Sequence, residues 1–139
     1  MAVVDRALVI RRKGNVRSEE YAKQCIDSVQ RCHMDFELVD AIENLDHKEA
    51  AASVGMHVPD GPGSHNNTIF HHPECYEQGN ACCTASHVKA WKRIVELDKP
   101  CAVLEHDALV VANFQNVEIS TNYLFFLGCL LYTSDAADE

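Results

Sequence analysis

The chain has 139 residues, of which 47% are hydrophobic and 24% are charged, and this composition predicts one globular domain or part of one. A formal net charge of −9 argues against nucleic acid as a partner, because contacts with phosphate need a basic surface. No apolar run approaches the ~20 residues of a transmembrane segment, and the N-terminus lacks a secretory signal, so we expect a cytoplasmic protein.

The N-terminal part of the chain predicts a strand, a helix and a second strand. Residues 7–10 are apolar and predict the first strand, and residues 11–16 predict a polar loop. Ser18 is expected to cap the helix, which continues to about Cys32. Residues 36–41 alternate in polarity like a second strand. This order predicts a parallel pair of strands with a right-handed crossover.

The middle of the chain is less regular. Residues 43–55 are rich in alanine and predict a short helix that ends at Gly55. Residues 57–75 contain several prolines, glycines and histidines, and we expect a polar loop there.

A loop, an amphipathic helix and an apolar strand are predicted next. The loop begins at Gly79, and helical periodicity then continues to Glu96. Pro100 ends the helix, because proline lacks an amide donor and disfavours the α conformation in the residue before it. Residues 101–104 are continuously apolar, which is typical of a strand buried on both faces of an α/β sheet.

Three polar residues, Glu105, His106 and Asp107, follow that strand directly. In an extended chain Glu105 and Asp107 project to the same side, where two carboxylates can share a divalent cation or divide it with a ribose. Ligands of open α/β sheets bind beyond the carboxyl ends of the strands. The sequence therefore predicts a ligand site at this point.

The C-terminal part contains one further predicted strand. Residues 108–111 are expected to stay extended, residues 113–120 to form a loop, and residues 123–128 to form a buried strand. Residues 129–139 resemble a translated sequencing adapter, and the alternative is a genuine acidic tail. We therefore expect a domain at residues 1–128 and a non-native tail at residues 129–139.

The chain contains seven cysteines. Without a secretory signal, reduced thiols are expected and a disulfide framework is not. Four of them stand where small apolar residues would serve and are expected to fill the core, namely Cys25, Cys32, Cys83 and Cys101.

The segment from residue 79 to residue 107 resembles a known family signature. Its G-x-x-C-C-T-A-S-H-V-x-x-W, followed by a helix and P-C-A-V-L-E-H-D, is similar to the core of the family-25 glycosyltransferases of the lipopolysaccharide-biosynthesis and procollagen-galactosyltransferase type. Cys82 replaces the second glycine of the family pattern, and His106 replaces its middle acid. The matching residues are Gly79, Cys83, Ser86, His87, Trp91, Leu104, Glu105 and Asp107.

The N-terminal half carries a second part of the resemblance. Arg17 and the pair Asp40-Ala41 fit the family, whereas Arg11, Arg12 and Lys13 stand where the family has N-L-D. These three basic side chains could face a diphosphate, and the alternative is that they lie in a solvated loop.

The resemblance implies a GT-A-like (Rossmann-like) α/β fold, with a mostly parallel sheet flanked by helices. The chain is expected to be a truncated, donor-binding part of that fold, and such a fragment is expected not to transfer sugar by itself. No residue is assigned as the general base.

The resemblance also implies an activity and its cofactors. A sugar, galactose or glucose, would pass from a UDP-sugar donor to a glycan or protein acceptor with the help of a divalent metal, usually manganese. Asp107 is the first expected metal ligand and Glu105 the second, either on the metal or on the ribose of the donor. The other residues expected in the donor site are His106, Ser86, His87, Arg11 and Arg17.

Two further classes of protein stay open. His106 within the acid motif favours a non-catalytic binding module that keeps the fold without the chemistry. The number of histidines and cysteines favours a small zinc-binding protein, although the paired spacing of zinc ligands is missing. Its ligands would be His71, His72 and Cys75, facing Cys82, Cys83 or His87.

Overall fold

The computed structural model describes residues 2–58 and 78–119. The loop predicted at residues 57–75 lies almost wholly outside these ranges, as do the strand predicted at residues 123–128 and the tail. The elements in chain order are β1 (Ala2–Val4), β2 (Arg6–Arg11), α1 (Val16–Arg31), β3 (Asp35–Asp40), α2 (His47–Ser53), α3 (Gln78–Leu97), β4 (Ala102–Glu105) and β5 (Phe114–Ile119).

Strand β2 lies at the centre of a three-stranded parallel sheet with the order β3-β2-β4. Ala7 of β2 is in register with Phe36 of β3 on one side and with Ala102 of β4 on the other. The predicted parallel pair is therefore confirmed. The chain runs from β2 to β3 on one side and later returns to β4 on the other, so the direction of strand order reverses beside β2. A crevice at such a reversal is the usual ligand position in these sheets.

Helices cover both faces of this sheet. Val9 of β2 packs in one cluster with Cys25 and Val29 of α1, whereas the adjacent Leu8 packs in another cluster with Ala90 of α3. Successive residues of a strand point to opposite faces, so β2 contributes to both layers. Leu8 and Val9 are both fully buried, as a central strand covered on two faces requires. The fold class predicted from the sequence, an α/β sheet flanked by helices, is confirmed.

Helix α1 begins earlier than predicted. Its N-cap is Asn15, whose side-chain oxygen accepts a hydrogen bond from the amide of Ser18 at 2.9 Å. Ser18 lies inside the first turn, and its hydroxyl accepts a hydrogen bond from the amide of Arg12 at 2.8 Å. The prediction of Ser18 as the cap is wrong because asparagine and serine are equally good caps, and the position of the preceding loop decides between them.

Helix α2 is shorter than predicted. It begins after Asp46, which forms a reciprocal capping box with Glu49, and it ends at Ser53. The residues before Asp46 are a non-helical link from β3, so the prediction of a helix from residue 43 is wrong.

Helix α3 begins at Gln78, so the loop predicted at Gly79 is wrong. A glycine inside a helix costs roughly 1 kcal/mol relative to alanine, which favours the loop when the sequence is considered locally. The early start places Ser86 and His87 in the middle of the helix and not at its beginning. The helix ends at Leu97, in agreement with the stop predicted from the proline that follows.

Strand β5 occupies residues where a loop was predicted. It pairs antiparallel with β1, which was not predicted either, and the register shifts between Ala2 and Val4. The two strands come from opposite ends of the described chain, and this pairing has no local signature in the sequence.

None of the helices in the described part of the chain is long and apolar enough to cross a lipid bilayer. The five described cysteines are free thiols. Cys25 is buried, but Cys83 is exposed, so the prediction that Cys83 fills the core is wrong.

Candidate functional site

A pocket of about 470 Å³ opens at the carboxyl edge of the sheet. Arg12 reaches it from the end of β2, and His106 and Asp107 reach it from the end of β4. The pocket therefore lies between the two strands at which strand order reverses. Among the described residues, its lining consists of Arg12, Asn15, Arg17, Ser18, Tyr21, His106 and Asp107.

The side of the pocket formed by α1 is electropositive. Arg12 and Arg17 contribute guanidinium groups, and the amides of the first turn of α1 add the partial positive charge of a helix N-terminus. The guanidinium of Arg17 lies 5.6 Å from the centre of the Tyr21 ring and donates to the Tyr21 hydroxyl at 3.4 Å. Arg12 also contacts Glu43 at 2.5 Å, which neutralises part of its charge. An anion such as a phosphate has two cationic groups to bind here.

Asp107 is the acidic group among the described residues that line the pocket. Within residues 2–58 and 78–119 its carboxylate has no hydrogen bond or ion-pair partner. His106 beside it packs its ring 5.9 Å from that of Tyr21. A carboxylate without a protein partner, in a pocket that suits an anion, is the ligand type that hard divalent cations take together with phosphate oxygens.

Glu105 faces the other side of the sheet. Leu104 packs with the cluster on the α1 side and Val103 with the cluster on the α3 side, so alternation directs Glu105 toward α3. There its Oε1 lies 3.1 Å from Nε2 of His87 and 3.8 Å from Sγ of Cys83.

A turn at the end of β4 separates the two predicted carboxylates. The strand ends at Glu105, and the amide of Ala108 donates to the Glu105 carbonyl at 3.0 Å across His106 and Asp107. The prediction of an extended chain through Asp107 is therefore wrong. The argument that alternation places Glu105 and Asp107 on the same side is wrong for the same reason. Residues 108–111, also predicted as extended, form no strand. A cation shared between Glu105 and Asp107 stays a prediction.

The contact between Glu105 and His87 is an ion pair at neutral pH. Hydrogen bonds with Cys83 and with Glu105 raise the pKa of His87 to about 9. The hydrogen bond from His87 in turn lowers the pKa of Glu105 below its usual value. The His87 ring also contacts the Trp91 ring edge-on, at 6.3 Å between centres, which restricts its orientation.

Two predicted site residues have structural partners and do not line the pocket. Ser86 is buried, and its hydroxyl donates to the Cys82 carbonyl at 2.7 Å while accepting from the Ile42 amide at 2.9 Å. Arg11 lies 2.9 Å from Asp40 and 3.4 Å from Glu19, linking β2 with β3 and α1.

Arg12, Asn15 and Tyr21 were not among the site residues predicted from the sequence, although Arg12 was considered with its two neighbours. For Arg12 the available signal was the alternation of side chains along a strand. Adjacent residues at the end of a strand point to opposite sides, so only one of Arg11 and Arg12 can reach the pocket. Tyr21 follows Arg17 by four residues, the spacing that brings helix side chains together.

Comparison with known protein families identifies one match. The family model described as glycosyltransferase family 25 (LPS biosynthesis protein) matches residues 10–125, a range that includes the pocket and the cluster around Glu105. No curated protein and no solved structure match the chain.

Proposed function

Because the chain belongs to glycosyltransferase family 25, we propose that its pocket binds a nucleotide-diphosphate sugar, the donor for transfer of the sugar to a glycan or protein acceptor. The proposed donor is a UDP-sugar carrying galactose or glucose. The proposed cofactor is a divalent cation, with Mn²⁺ as the first candidate.

The observation that carries the proposal is the composition of the pocket at the strand-order reversal. Arg12 and Arg17 line it together with Asp107, whose carboxylate has no hydrogen-bond or ion-pair partner within residues 2–58 and 78–119. A diphosphate that is bound together with a metal ion needs cationic groups for its oxygens and a carboxylate for the metal. This pocket contains both kinds of group.

Arg12 and Arg17 would bind the diphosphate oxygens. The contact with Tyr21 restricts the guanidinium of Arg17, so that less side-chain freedom is lost when an anion binds. The amides at the start of α1 would add hydrogen-bond donors for the same anion.

Asp107 would hold the cation, and Glu105 is the second candidate through the carboxylate oxygen that His87 does not contact. When bound to both the protein and the diphosphate, the metal stabilises the negative charge that develops on the leaving nucleoside diphosphate. His106 contributes no carboxylate where the family pattern has an acid, so this chain has fewer negative groups for the cation than the family pattern provides.

A second candidate function is a binding module that keeps the pocket but transfers no sugar. Two observations favour it: His106 stands in the acid motif, and Glu105 is already paired with His87. Both candidates bind UDP in a metal-dependent way, and only the transferase releases UDP from a UDP-sugar in the presence of an acceptor.

Calorimetry of the 139-residue chain with UDP, with and without Mn²⁺, tests the proposal. Arg12→Ala should weaken binding by about tenfold or more, because a charge-assisted hydrogen bond to phosphate contributes about 1.5–3 kcal/mol. Lys13→Ala is the matched control, since it removes the same charge from an exposed neighbour that does not line the pocket. Equal losses in the two variants, or no UDP binding by the folded protein, would contradict the proposal.

A further inference from the structure

Outside the pocket, three side chains with different donor atoms converge between α3 and the end of β4. They are Cys83, His87 and Glu105, and their sulfur, nitrogen and oxygen atoms all lie within 4.8 Å of one another. None of these residues lines the pocket that contains Asp107.

Local geometry explains why they meet. Cys83 and His87 are four residues apart on α3 and so occupy the same helix face. Glu105 is the last residue of β4, and alternation along the strand directs it to that face. Trp91, one further turn along the helix, contacts the His87 ring and helps to hold it in position.

The two distances that involve Glu105 are close to those between ligands of a tetrahedral metal site. Zn²⁺ binds nitrogen and carboxylate oxygen at about 2.0–2.2 Å and sulfur at about 2.3 Å, so neighbouring ligand atoms in a tetrahedron lie roughly 3.3–3.6 Å apart. Nε2 of His87 is 3.1 Å from Oε1 of Glu105, and Sγ of Cys83 is 3.8 Å from the same oxygen. These two distances are within a few tenths of an ångström of the tetrahedral values, and the third pair, Sγ of Cys83 and the ring nitrogen of His87, lies within 4.8 Å.

The donor set selects the kind of ion. Thiolate and imidazole favour borderline ions such as Zn²⁺ and Co²⁺ over the harder Mn²⁺ and Mg²⁺, which prefer oxygen. Cys83 and Glu105 are both exposed, so an ion can enter from solvent and water can occupy the remaining position.

We propose that Cys83, His87 and Glu105 form a three-ligand site for Zn²⁺ or a similar borderline cation, separate from the donor pocket. Binding replaces the thiol proton of Cys83 and the shared proton of the His87–Glu105 pair with the metal, and both protons pass to solvent. The site does not depend on the proposed function, because it needs neither the nucleotide nor Asp107.

The competing interpretation is a metal-free contact that fastens the end of β4 to α3. In that interpretation the ion pair between His87 and Glu105 is sufficient and the sulfur of Cys83 is dispensable. The two interpretations therefore differ in whether metal binding needs the Cys83 sulfur.

Titration of the reduced, metal-free chain with Co²⁺ tests the site directly. A thiolate ligand produces a sulfur-to-cobalt charge-transfer band in the near ultraviolet, and Zn²⁺ should abolish the band by displacement. Cys83→Ser should remove the band and weaken binding on the order of 100-fold, while Glu105→Gln should retain the band with weaker binding.

Two variants serve as controls. Cys101→Ser removes another thiol, one that hydrogen-bonds to the Lys99 carbonyl and packs against the core cluster around Leu8, and it should bind Co²⁺ like the wild type. Asp107→Asn should also leave the band unchanged, which separates this site from the donor pocket. Melting temperatures show that each variant is folded. The proposal is wrong if the wild type gives no charge-transfer band, or if Cys83→Ser retains it at wild-type affinity.

Discussion

The hydroxyl of Ser86, in the middle of α3, accepts a hydrogen bond from the amide of Ile42 at 2.9 Å, just beyond the end of β3. The same hydroxyl donates to the Cys82 carbonyl within the helix, so it acts both as hydrogen-bond donor and as acceptor. Ser86 itself is only 3% exposed. A buried amide without a partner is costly, and the serine removes that cost where the chain leaves the sheet.

The other two strands of the parallel sheet have equivalent contacts. Ser18 of α1 accepts from the amide of Arg12 after β2, and Ser28 of α1 accepts from the amide of Val110 after β4, at 2.8 and 2.9 Å. Ser18, Ser28 and Ser86 are the buried polar residues of the described core. Each of the three accepts a hydrogen bond from an amide beyond the carboxyl end of a strand, at the edge of the sheet where the pocket lies.

Ser86→Ala should lower the free energy of unfolding by about 1–3 kcal/mol, because it leaves the partly buried Ile42 amide without its acceptor. Ser53→Ala is the matched control, because the Ser53 hydroxyl also donates to a carbonyl of its own helix, that of Ala50. Ser53 is exposed, and among the described residues it accepts no hydrogen bond from an amide of another element. The control should change stability by less than about 0.5 kcal/mol. Urea unfolding measures both, and equal losses would show that the Ile42 amide is not the cause.

Asp107→Ala should abolish the metal-dependent part of UDP binding, since alanine offers no ligand to a hard cation. His106→Asp restores the acid that the family pattern has at that position and should maintain or strengthen the same binding. Calorimetry with UDP in Mn²⁺ and in EDTA measures the metal-dependent part as the difference between the two titrations. Equal affinity of the wild type and Asp107→Ala in Mn²⁺ would remove Asp107 from the proposed metal site.

The sequence predicted the parts of the fold that have strong local patterns. The apolar strand at residues 101–104 and the end of α3 before Pro100 both follow from a few adjacent residues. The parallel pairing follows from the order of strand and helix, because a crossover of that length joins parallel neighbours.

The rest depended on contacts between distant residues. The turn at His106 and Asp107 contains neither glycine nor proline, so no local pattern indicated that the two carboxylates would separate. Arg11 and Arg12 are indistinguishable by residue type, and it is the ion pair with Asp40 across the sheet that occupies Arg11. The pairing of β1 with β5 likewise joins the two ends of the described chain.

In metal-free protein, His87 should titrate with a pKa of about 9, because hydrogen bonds with Cys83 and Glu105 favour the imidazolium. Its ordinary value is 6.5, so protonation stabilises the folded state: this contribution is complete below about pH 6.5 and is lost as the pH rises through about 9. Nuclear magnetic resonance of the imidazole in EDTA measures the value.

Cys83→Ser and Glu105→Gln should each lower that pKa, and each should reduce the loss of stability between pH 6.5 and 9. A wild-type pKa near 6.5 would contradict the ion pair with Glu105. An unchanged pKa in both variants would contradict the assigned cause.

Zn²⁺ should weaken the Mn²⁺-dependent binding of UDP to the wild type severalfold, a result that rests on both the donor pocket and the three-ligand site. The reason is that Glu105 belongs to the three-ligand site and is also the second proposed ligand of the donor cation, so an ion held by Cys83 and His87 withdraws it from the donor. Cys83→Ser should bind UDP in Mn²⁺ like the wild type but lose the response to Zn²⁺. If Zn²⁺ instead replaces Mn²⁺ in the donor pocket, the wild type and Cys83→Ser must respond equally, and that result would show that the two sites are not coupled through Glu105.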